Sequence, residues 1–496
     1  MATNYEKYVQ KMRKIADIGH SIAVLSWDKE TYLPKKSAPM RSQQIATLSG
    51  IVHEEFTDKE FGELLRRLGK QRNLKADQKK NVSVTLNDYD KATKFTKKFV
   101  IEKSMAVSKC FHAWIKAREA NDFALYQEAL TELVAIKRTE AQKLGKAAHP
   151  YDNLLDQYEP GLTVAKCDKI FEGMKKPLKK LIKKIDKKTG PKTDFLFKKY
   201  DKDAQWNLGI YMLSEIGYDF DRGRQDISTH PFTTSFSADD VRVTTRIDEN
   251  DLSNMLWSCI HEGGHALYEQ GLPIENYGLP TGSAISLSIH ESQSRLWENN
   301  VGRGKAFWSK YFKTAKKIFP KQLKKQTAET FYKAINTIQP NLIRTEADEL
   351  HYHFHVLIRY EIEKGLIEGS IEVADLPKVW KAKYKEYLGI KVTDDVNGVL
   401  QDIHWSHGSF GYFPTYSLGS FYAAQLYAQA AKDIPKLEKQ IAAGNTQVLL
   451  DWLREKVHRH GRRYEAEELC TMITGEPLNV KYFMNYAKKK YTEVYG

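Results

Sequence analysis

The sequence predicts a mainly helical (all-α) protein with two lobes and one small β-sheet. Over most of the 496 residues, apolar positions recur about every 3.6 residues, the period of an amphipathic helix. One short region instead alternates apolar and polar residues, which is typical of a β-hairpin. A chain of this length is long enough for several domains, but a single helical body can also absorb it. We therefore expect residues 1–496 to form one domain with two lobes.

The helical period is carried by long segments with few Gly or Pro residues inside them. They predict helices over residues 5–24, 36–69, 76–120, 123–146, 163–188, 203–216, 306–318, 324–337, 341–367, 417–431 and 446–467. The alternating segments at 232–236 and 241–247 predict the β-hairpin. Loops are expected at 190–191 and 271–283, where Gly and Pro cluster.

Composition places the chain among ordinary globular proteins. Hydrophobic residues make up 41% and charged residues 28%, which excludes a disordered protein. The four cysteines include no close pair, which argues against a thiolate metal site or a redox motif. No apolar run approaches the roughly 20 residues of a membrane-spanning helix, and residues 1–7 lack the pattern of a signal peptide. We therefore expect a cytoplasmic protein with no membrane partner.

The net charge of +14 raises the question of a nucleic-acid or acidic-membrane partner. Much of the excess lies in residues 175–188, which are rich in lysine and contain no arginine. Apolar residues between these lysines recur at helical spacing, which is typical of a helix packed on its own core with a solvated outer face. Because no nucleic-acid-reading motif accompanies the lysines, we predict no nucleic-acid partner.

The most informative segment is His261-Glu262-Gly263-Gly264-His265. Two imidazoles four residues apart on a helix lie on the same side and can bind one metal ion between them. Glu262 then faces the open side of that ion and can accept a proton from a water molecule that the metal activates. The motif thus predicts both metal ligands and the general base of a hydrolase.

The surroundings of this motif predict a helix. Asp248, Asn250 and Asp251 offer N-cap oxygens before a run of apolar residues at helical spacing, and Gly271 follows the run. The two glycines of the motif cost about 1 kcal/mol each relative to Ala inside a helix. We expect them to allow the close approach of another backbone or of a substrate.

A catalytic zinc ion needs a third protein ligand. Ser286 can cap a second amphipathic helix that extends to Trp297, and Glu291 lies near its start. Two His and one Glu leave the fourth position free for water, which is typical of a catalytic rather than a structural site. His290 is the alternative third ligand, and these residues alone leave the choice open.

Further motifs follow one another along the chain. They are Leu25-Ser26-Trp27-Asp28 through Leu33-Pro34, His230-Pro231-Phe232, Asp240-Val241-Arg242-Val243-Thr244, the segment from His261 to His265, His290-Glu291-Ser292-Gln293, Ile343-Arg344-Thr345-Glu346-Ala347-Asp348 and Gly398-Val399-Leu400-Gln401-Asp402-Ile403-His404-Trp405. In sequence and order they resemble the motifs of the carboxypeptidase Taq family of metallocarboxypeptidases. The resemblance spans nearly the whole chain.

The resemblance implies a two-lobed, neurolysin-like zincin fold with a deep cleft and the small β-sheet beside the active site. It implies that His261, His265 and Glu291 bind the metal and that Glu262 is the base. The implied ion is Zn²⁺, while Co²⁺ and Mn²⁺ remain open for such ligands. The family also implies a homodimer and peptide substrates with a free C-terminus.

Two residues are candidates for stabilising the oxyanion that forms during peptide hydrolysis. His404 lies in a matched motif, and Tyr412 follows it in a segment where Gly408 and Gly411 allow close approach to a substrate. We expect one or both to polarise the substrate carbonyl.

A cationic side chain is expected to bind the substrate carboxylate. Arg344 is our choice, because its guanidinium can donate two parallel hydrogen bonds, and we expect Glu346 and Asp348, which follow it, to orient it. Arg242 is the second candidate, and His230 is a further substrate-binding candidate from a matched motif.

The sequence therefore predicts a zinc-dependent metallocarboxypeptidase that releases single residues from peptide C-termini. The nearest alternative is a metallo-oligopeptidase that cuts internal bonds. A different class, a basic helical nucleic-acid-binding protein with an incidental metal site, is also kept open.

Overall fold

A computed structural model describes residues 3–496, so Met1 and Ala2 of the segment inspected for a signal peptide lie outside the described residues. The chain is mainly helical, as predicted. The helices are α1 (Asn4–Thr31), α2 (Ala38–Thr57), α3 (Lys59–Gly69), α4 (Ala76–Ala92), α5 (Lys97–Ala120), α6 (Ala124–Leu144), α7 (Asp152–Leu155), α8 (Val164–Ile185), α9 (Lys202–Glu215), α10 (Leu252–Gln270), α11 (Leu287–Arg295), α12 (Lys305–Ile318), α13 (Ala328–Ala334), α14 (Tyr352–Glu368), α15 (Leu376–Leu388), α16 (Pro414–Asp433), α17 (Leu437–Ala443), α18 (Gln447–Lys456), α19 (Ala466–Thr474) and α20 (Lys481–Tyr495).

The described residues form one sheet of three strands, β1 (Gly223–Ile227), β2 (Thr233–Ser237) and β3 (Asp240–Thr245), in the order β1-β3-β2. β2 and β3 form the predicted antiparallel hairpin, with an irregularity in register between Ser235 and Ser237. β1 pairs with β3 in parallel and was not predicted. Its sequence, Gly-Arg-Gln-Asp-Ile, lacks the apolar alternation that marks a half-buried strand.

Several predicted helices proved too long because polar caps interrupt them. The segment 36–69 breaks at Asp58, whose carboxylate accepts from Glu60 N and Phe61 N at the start of α3. The segment 76–120 breaks before Thr96, which caps α5 in the same way. The segment 341–367 contains a short 3₁₀ helix at Arg344–Glu346 and becomes α-helical only at Tyr352. The segment 446–467 is split into α18, a 3₁₀ helix and the start of α19. No helix was predicted at α7, α15, α17 or α20.

The chain divides into two compact units. The first contains the chain up to Thr93, Lys192–Ile335 and Tyr422–Leu478, and the second contains Lys94–Pro191, Asn336–Phe421 and Asn479–Gly496. In the first unit, α10 packs against α9, α11, β2 and β3, and α1 packs against α2 and β2. In the second unit, α5 pairs with α6, and α14 packs against α6, α8 and α15. That all residues form one catalytic domain remains a prediction.

The lysine-rich segment forms α8, as predicted, and its apolar stripe is buried. Val164, Phe171, Met174, Leu178 and Ile185 are among the buried residues of this helix. Between residues 3 and 496, no helix is both long and apolar enough to cross a membrane.

Candidate active site

Helix α10 carries both histidines of the motif. Its N-cap is Asp251, whose carboxylate accepts from Ser253 N, and the helix ends before Gly271. The imidazoles of His261 and His265 lie one turn apart, with ring centroids 5.0 Å apart. Both rings therefore face the same region next to α10.

Glu291 on α11 brings a carboxylate to these two rings. Its Oε2 lies 3.6 Å from Nε2 of His261 and 3.4 Å from Nε2 of His265. Donors bound to one tetrahedral Zn²⁺ at ordinary bond lengths lie roughly 3.3–3.4 Å from one another. One ligand atom from each of the three residues lies within 4.8 Å of the other two, so the donor set fits a single metal ion.

Gly264 allows α11 to approach α10 this closely. A Cβ atom at this position would lie 2.6 Å from Cα of Ser294 and 2.7 Å from the carbonyl oxygen of Gln293. Both atoms belong to the backbone of α11, which cannot swing aside as a side-chain end can. The expectation that a motif glycine allows another backbone to approach therefore holds for Gly264.

The remaining nitrogen of His261 faces another carboxylate. After α11 the chain continues as a π-helix over Leu296–Gly302, which carries Glu298. Oε2 of Glu298 lies 2.9 Å from Nδ1 of His261, the arrangement that commonly fixes the tautomer of a metal-binding histidine. The guanidinium groups of Arg295 and Arg303 donate to Glu298, at 3.2 and 3.1 Å.

Neighbouring charges keep these carboxylates ionised. Burial raises the pKa of Glu291, but Arg295 and His261 outweigh it and hold that pKa well below its usual range. The pKa of Glu298 is likewise held low, because Arg295 and His261 outweigh burial there. Burial lowers the pKa of His265, which favours the neutral imidazole that a metal ion requires.

His290 does not point a free nitrogen at the three donors. Its Nδ1 lies 2.6 Å from Nδ1 of His265, and its Nε2 lies 2.8 Å from Oε1 of Glu269. Both ring nitrogens are therefore engaged in hydrogen bonds. This geometry favours Glu291 over His290 as the third ligand.

Glu262 is buried on α10 and bonded to the sheet. The hydroxyl of Thr233 on β2 lies 2.6 Å from Oε2 of Glu262 and 3.0 Å from its carbonyl oxygen. The bond ties the candidate base to a strand that packs directly against its helix.

Arg242 and His230, the other two substrate-binding candidates, lie in the same unit. Among the described residues, neither hydrogen-bonds a proposed metal ligand. Arg242 donates through Nε and Nη2 to the two carboxylate oxygens of Asp240, both at 2.9 Å. Its guanidinium also lies 4.4 Å from the ring of Trp27. His230 is exposed in the connection between β1 and β2, and its carbonyl oxygen accepts from Ser228.

Arg344, His404 and Tyr412 come together in the second unit. Arg344 is buried and donates to Oδ1 of Asp402 through Nε and Nη2, at 3.0 and 2.9 Å. Its Nη1 donates to Tyr352 at 3.2 Å. The expectation that Glu346 and Asp348 orient Arg344 is wrong, because Asp402 occupies that role.

Asp402 also accepts from Arg359 at 2.5 Å. Although burial raises the pKa of Asp402, Arg344 and Arg359 hold it well below its usual range. The ring of His404 lies 5.4 Å from that of Tyr412. Burial, followed by the charge of Arg344, lowers the pKa of His404 to about 3, so its imidazole is neutral near pH 7.

Comparison with known proteins bears on what this arrangement does. The sequence profile of the carboxypeptidase Taq (M32) metallopeptidase family matches residues 7–491. Carboxypeptidase 1 of Bacillus subtilis is 39% identical over 494 residues, and thermostable carboxypeptidase 1 of Thermus thermophilus is 37% identical over 505 residues, each match covering 99% of both chains. The crystal structure of an M32 carboxypeptidase from Deinococcus radiodurans R1 is 38% identical, covers 100% of both chains and superposes with a TM-score of 0.98. The chain belongs to the carboxypeptidase Taq family.

Membership of the carboxypeptidase Taq family makes this chain a peptide hydrolase whose chemistry depends on a metal ion. The predictions of the family, of an enzyme and of the mainly helical fold are confirmed. The identity of the metal and the roles of individual residues belong to the proposals below.

Sequence reasoning missed four residues that contact the carboxypeptidase Taq family motifs. Thr233 follows the quoted segment His230-Pro231-Phe232 directly, and Asp402 lies inside a quoted motif. Glu298 lies seven residues, about two helical turns, after Glu291. This spacing could have predicted that the two carboxylates lie on the same face of a helix. Glu269 offered no such signal, because its contact with His290 joins two helices.

Proposed function

We propose that this chain is a zinc-dependent metallocarboxypeptidase that releases single amino acids from peptide C-termini. The observation that carries the proposal is the spacing of the three donors: Oε2 of Glu291 lies 3.6 and 3.4 Å from Nε2 of His261 and His265, and all three ligand atoms lie within 4.8 Å of one another. Family membership supports carboxypeptidase chemistry in general, and the proposal adds the ion, the base and the site of attack.

His261, His265 and Glu291 are the proposed metal ligands. Two imidazoles and one carboxylate suit Zn²⁺, while Co²⁺ and Mn²⁺ accept the same ligands. When bound, an ion of this kind would supply Lewis acidity, which lowers the pKa of water so that hydroxide is available near neutral pH. Three protein ligands leave room for that water and for the substrate carbonyl.

Glu262 is the proposed general base. Its carboxylate lies close enough to His261 and His265 for its charge to act on both imidazoles. The Thr233 hydroxyl donates to Oε2, so the carboxylate is held in one orientation while it accepts a proton from water and passes it to the leaving amine.

Arg344 is the proposed anchor for the C-terminal carboxylate. A guanidinium has five N–H groups, and the described hydrogen bonds to Asp402 and Tyr352 use three of them. Asp402, which also accepts from Arg359, bonds the guanidinium through Nε and Nη2, and this favours a defined position for the bound carboxylate. Arg242 and His230 remain the second and third candidates for substrate binding.

His404 and Tyr412 are proposed to polarise the scissile carbonyl. His404 is neutral near pH 7, and within residues 3–496 no group hydrogen-bonds its buried Nδ1. A neutral imidazole can donate one hydrogen bond without carrying charge into the site. A tyrosine hydroxyl can do the same.

The prediction of a metallo-oligopeptidase remains the nearest alternative, because the same metal and base can hydrolyse an internal bond. A homodimer and a cytoplasmic location also remain predictions.

One experiment tests the metal chemistry: a defined peptide is incubated with purified protein before and after chelation, and the products are identified by mass spectrometry. We expect hydrolysis to stop on chelation and to return with Zn²⁺ or Co²⁺. Undiminished hydrolysis by metal-free protein would refute the proposal.

A further inference from the structure

A line of hydrogen bonds leads away from His265 on the side opposite its Nε2. Nδ1 of His265 meets Nδ1 of His290 at 2.6 Å, and Nε2 of His290 meets Oε1 of Glu269 at 2.8 Å. The hydroxyl of Ser235 on β2 also hydrogen-bonds Glu269. The line therefore joins α10, α11 and the β-sheet around one candidate ligand.

Only one arrangement of protons satisfies this line when both imidazoles are neutral and Nε2 of His265 gives its lone pair to a metal ion. Nδ1 of His265 must then carry the ring proton and donate it to His290. Nδ1 of His290 accepts, so its Nε2 carries a proton and donates to the carboxylate of Glu269. Each hydrogen bond from His265 to His290 and from His290 to Glu269 then has one donor and one acceptor.

The side chains concerned are largely shielded from water. The exposed fractions of the side chains are 17% for His265, 21% for His290 and 16% for Glu269. Burial raises the pKa of Glu269, but the hydrogen bond from His290 and the further interactions with His290, Ser235 and His265 together outweigh that effect, so the carboxylate stays charged. Hydrogen bonds to a charged group in such surroundings are stronger than those at an exposed surface.

We propose that Glu269 and His290 are positioning residues for His265: together they fix its tautomer and ring orientation, and thereby strengthen metal binding. The inference rests on the proposed function, because it takes His265 as a ligand. Glu298 stands in direct contact with His261, whereas the carboxylate that serves His265 acts through a second imidazole. Neither Glu269 nor His290 touches the substrate or the metal in this account.

The test measures Zn²⁺ affinity of the whole protein. Metal-free protein is prepared by chelation and titrated with Zn²⁺ in competition with a chromophoric chelator. The variants are Glu269→Gln, His290→Phe and His290→Gln. Partners of this kind typically contribute 10–100-fold to metal affinity, so we expect Glu269→Gln to weaken binding roughly tenfold and His290→Phe up to roughly a hundredfold. His290→Gln should recover much of the loss, because its amide oxygen can accept from His265.

A matched control separates positioning from packing. The rings of His290 and His458 both pack on Tyr268, at 5.3 and 5.1 Å, but His458 bonds Gln293 rather than a proposed ligand. His458→Phe should therefore leave Zn²⁺ affinity close to that of the unmodified protein. The absorption spectrum of the Co²⁺-loaded protein adds a second readout, since it reports ligand geometry. It should change in His290→Phe and not in His458→Phe.

Adding Glu269→Gln to His290→Phe should cause little further loss of Zn²⁺ affinity, because Glu269 acts through His290. Wild-type affinity in both Glu269→Gln and His290→Phe would overturn the proposal, as would an equal loss in His458→Phe. If His290→Phe lowers the unfolding temperature of the metal-free protein, the Zn²⁺ affinity of Glu269→Gln relative to wild type decides whether the proposal holds. His265→Ala tests the proposed function separately from the positioning role of Glu269 and His290. Full Zn²⁺ affinity in that variant would refute the assignment of His265 as a metal ligand.

Discussion

The hydroxyl of Thr233 lies 2.6 Å from Oε2 of Glu262, which joins the proposed base to an edge strand of the sheet. A hydrogen bond to a charged carboxylate contributes about 1.5–3 kcal/mol, and it occupies one oxygen while the other stays available for water. The strand therefore restricts the orientation of Glu262 before any substrate binds.

Thr233→Val should lower kcat by roughly ten- to a hundredfold, because an unrestrained carboxylate spends less time in the productive orientation. KM and metal content should stay near those of the unmodified protein. Thr233→Ser keeps the hydroxyl and should retain most of the activity. Steady-state kinetics on one peptide, with metal analysis of each preparation, check this. Equal kcat for the Val variant would show that the hydrogen bond does not position the base.

Glu262→Gln should lose turnover by orders of magnitude while it keeps the metal and the fold. The amide fits the same space and still accepts from Thr233, but it cannot take the proton from water. Glu291→Ala should instead deplete the metal. Metal content and kcat measured on both variants give the comparison, and a fully active Glu262→Gln would exclude Glu262 as the base.

Gly264→Ala should weaken metal binding, because the new Cβ meets the backbone of α11 at 2.6–2.7 Å and displaces the helix that carries Glu291. Gly263→Ala is a matched control: its Cβ meets the side-chain ends of Leu213 and Ile216, at 2.7 and 2.8 Å. Chelator competition and thermal unfolding separate the two effects. We expect the control to lose stability with near-normal metal affinity, and the reverse order of metal affinities would contradict the account.

The sequence allowed the metal motif, its helix and the hairpin to be predicted because each depends on local spacing. Asp251 and Ser286 cap α10 and α11 as the residues suggested. The contacts that orient the site could not be predicted in the same way. Thr233 with Glu262 and Glu269 with His290 join different elements, so they depend on how strands and helices pack.

The partner of Arg344 also could not be predicted from the local sequence. The candidacy of Arg344 came from a motif, and local reasoning assigned Glu346 and Asp348 to it, whereas the folded chain pairs it with Asp402, 58 positions later. A buried ion pair of this kind depends on tertiary structure and not on helical spacing.

Arg344→Lys tests the anchor and keeps a charge beside Asp402. The lysine ammonium lacks the planar fork that binds a carboxylate through two parallel bonds. We expect kcat/KM to fall at least tenfold on a peptide with a free C-terminus. Thermal unfolding of the variant controls for loss of the buried ion pair. Unchanged kinetics in a stable variant would transfer the role to Arg242.

The central claim is tested most directly by mass spectrometry of the products from two peptides of one sequence, one with a free C-terminus and one amidated. A carboxylate anchor positions the last peptide bond at the metal, so binding energy from the terminus contributes to turnover. We predict stepwise loss of single residues from the free peptide and almost no hydrolysis of its amidated twin. Cleavage of both peptides at equal rates, or at internal bonds, would contradict the carboxypeptidase account and favour an oligopeptidase.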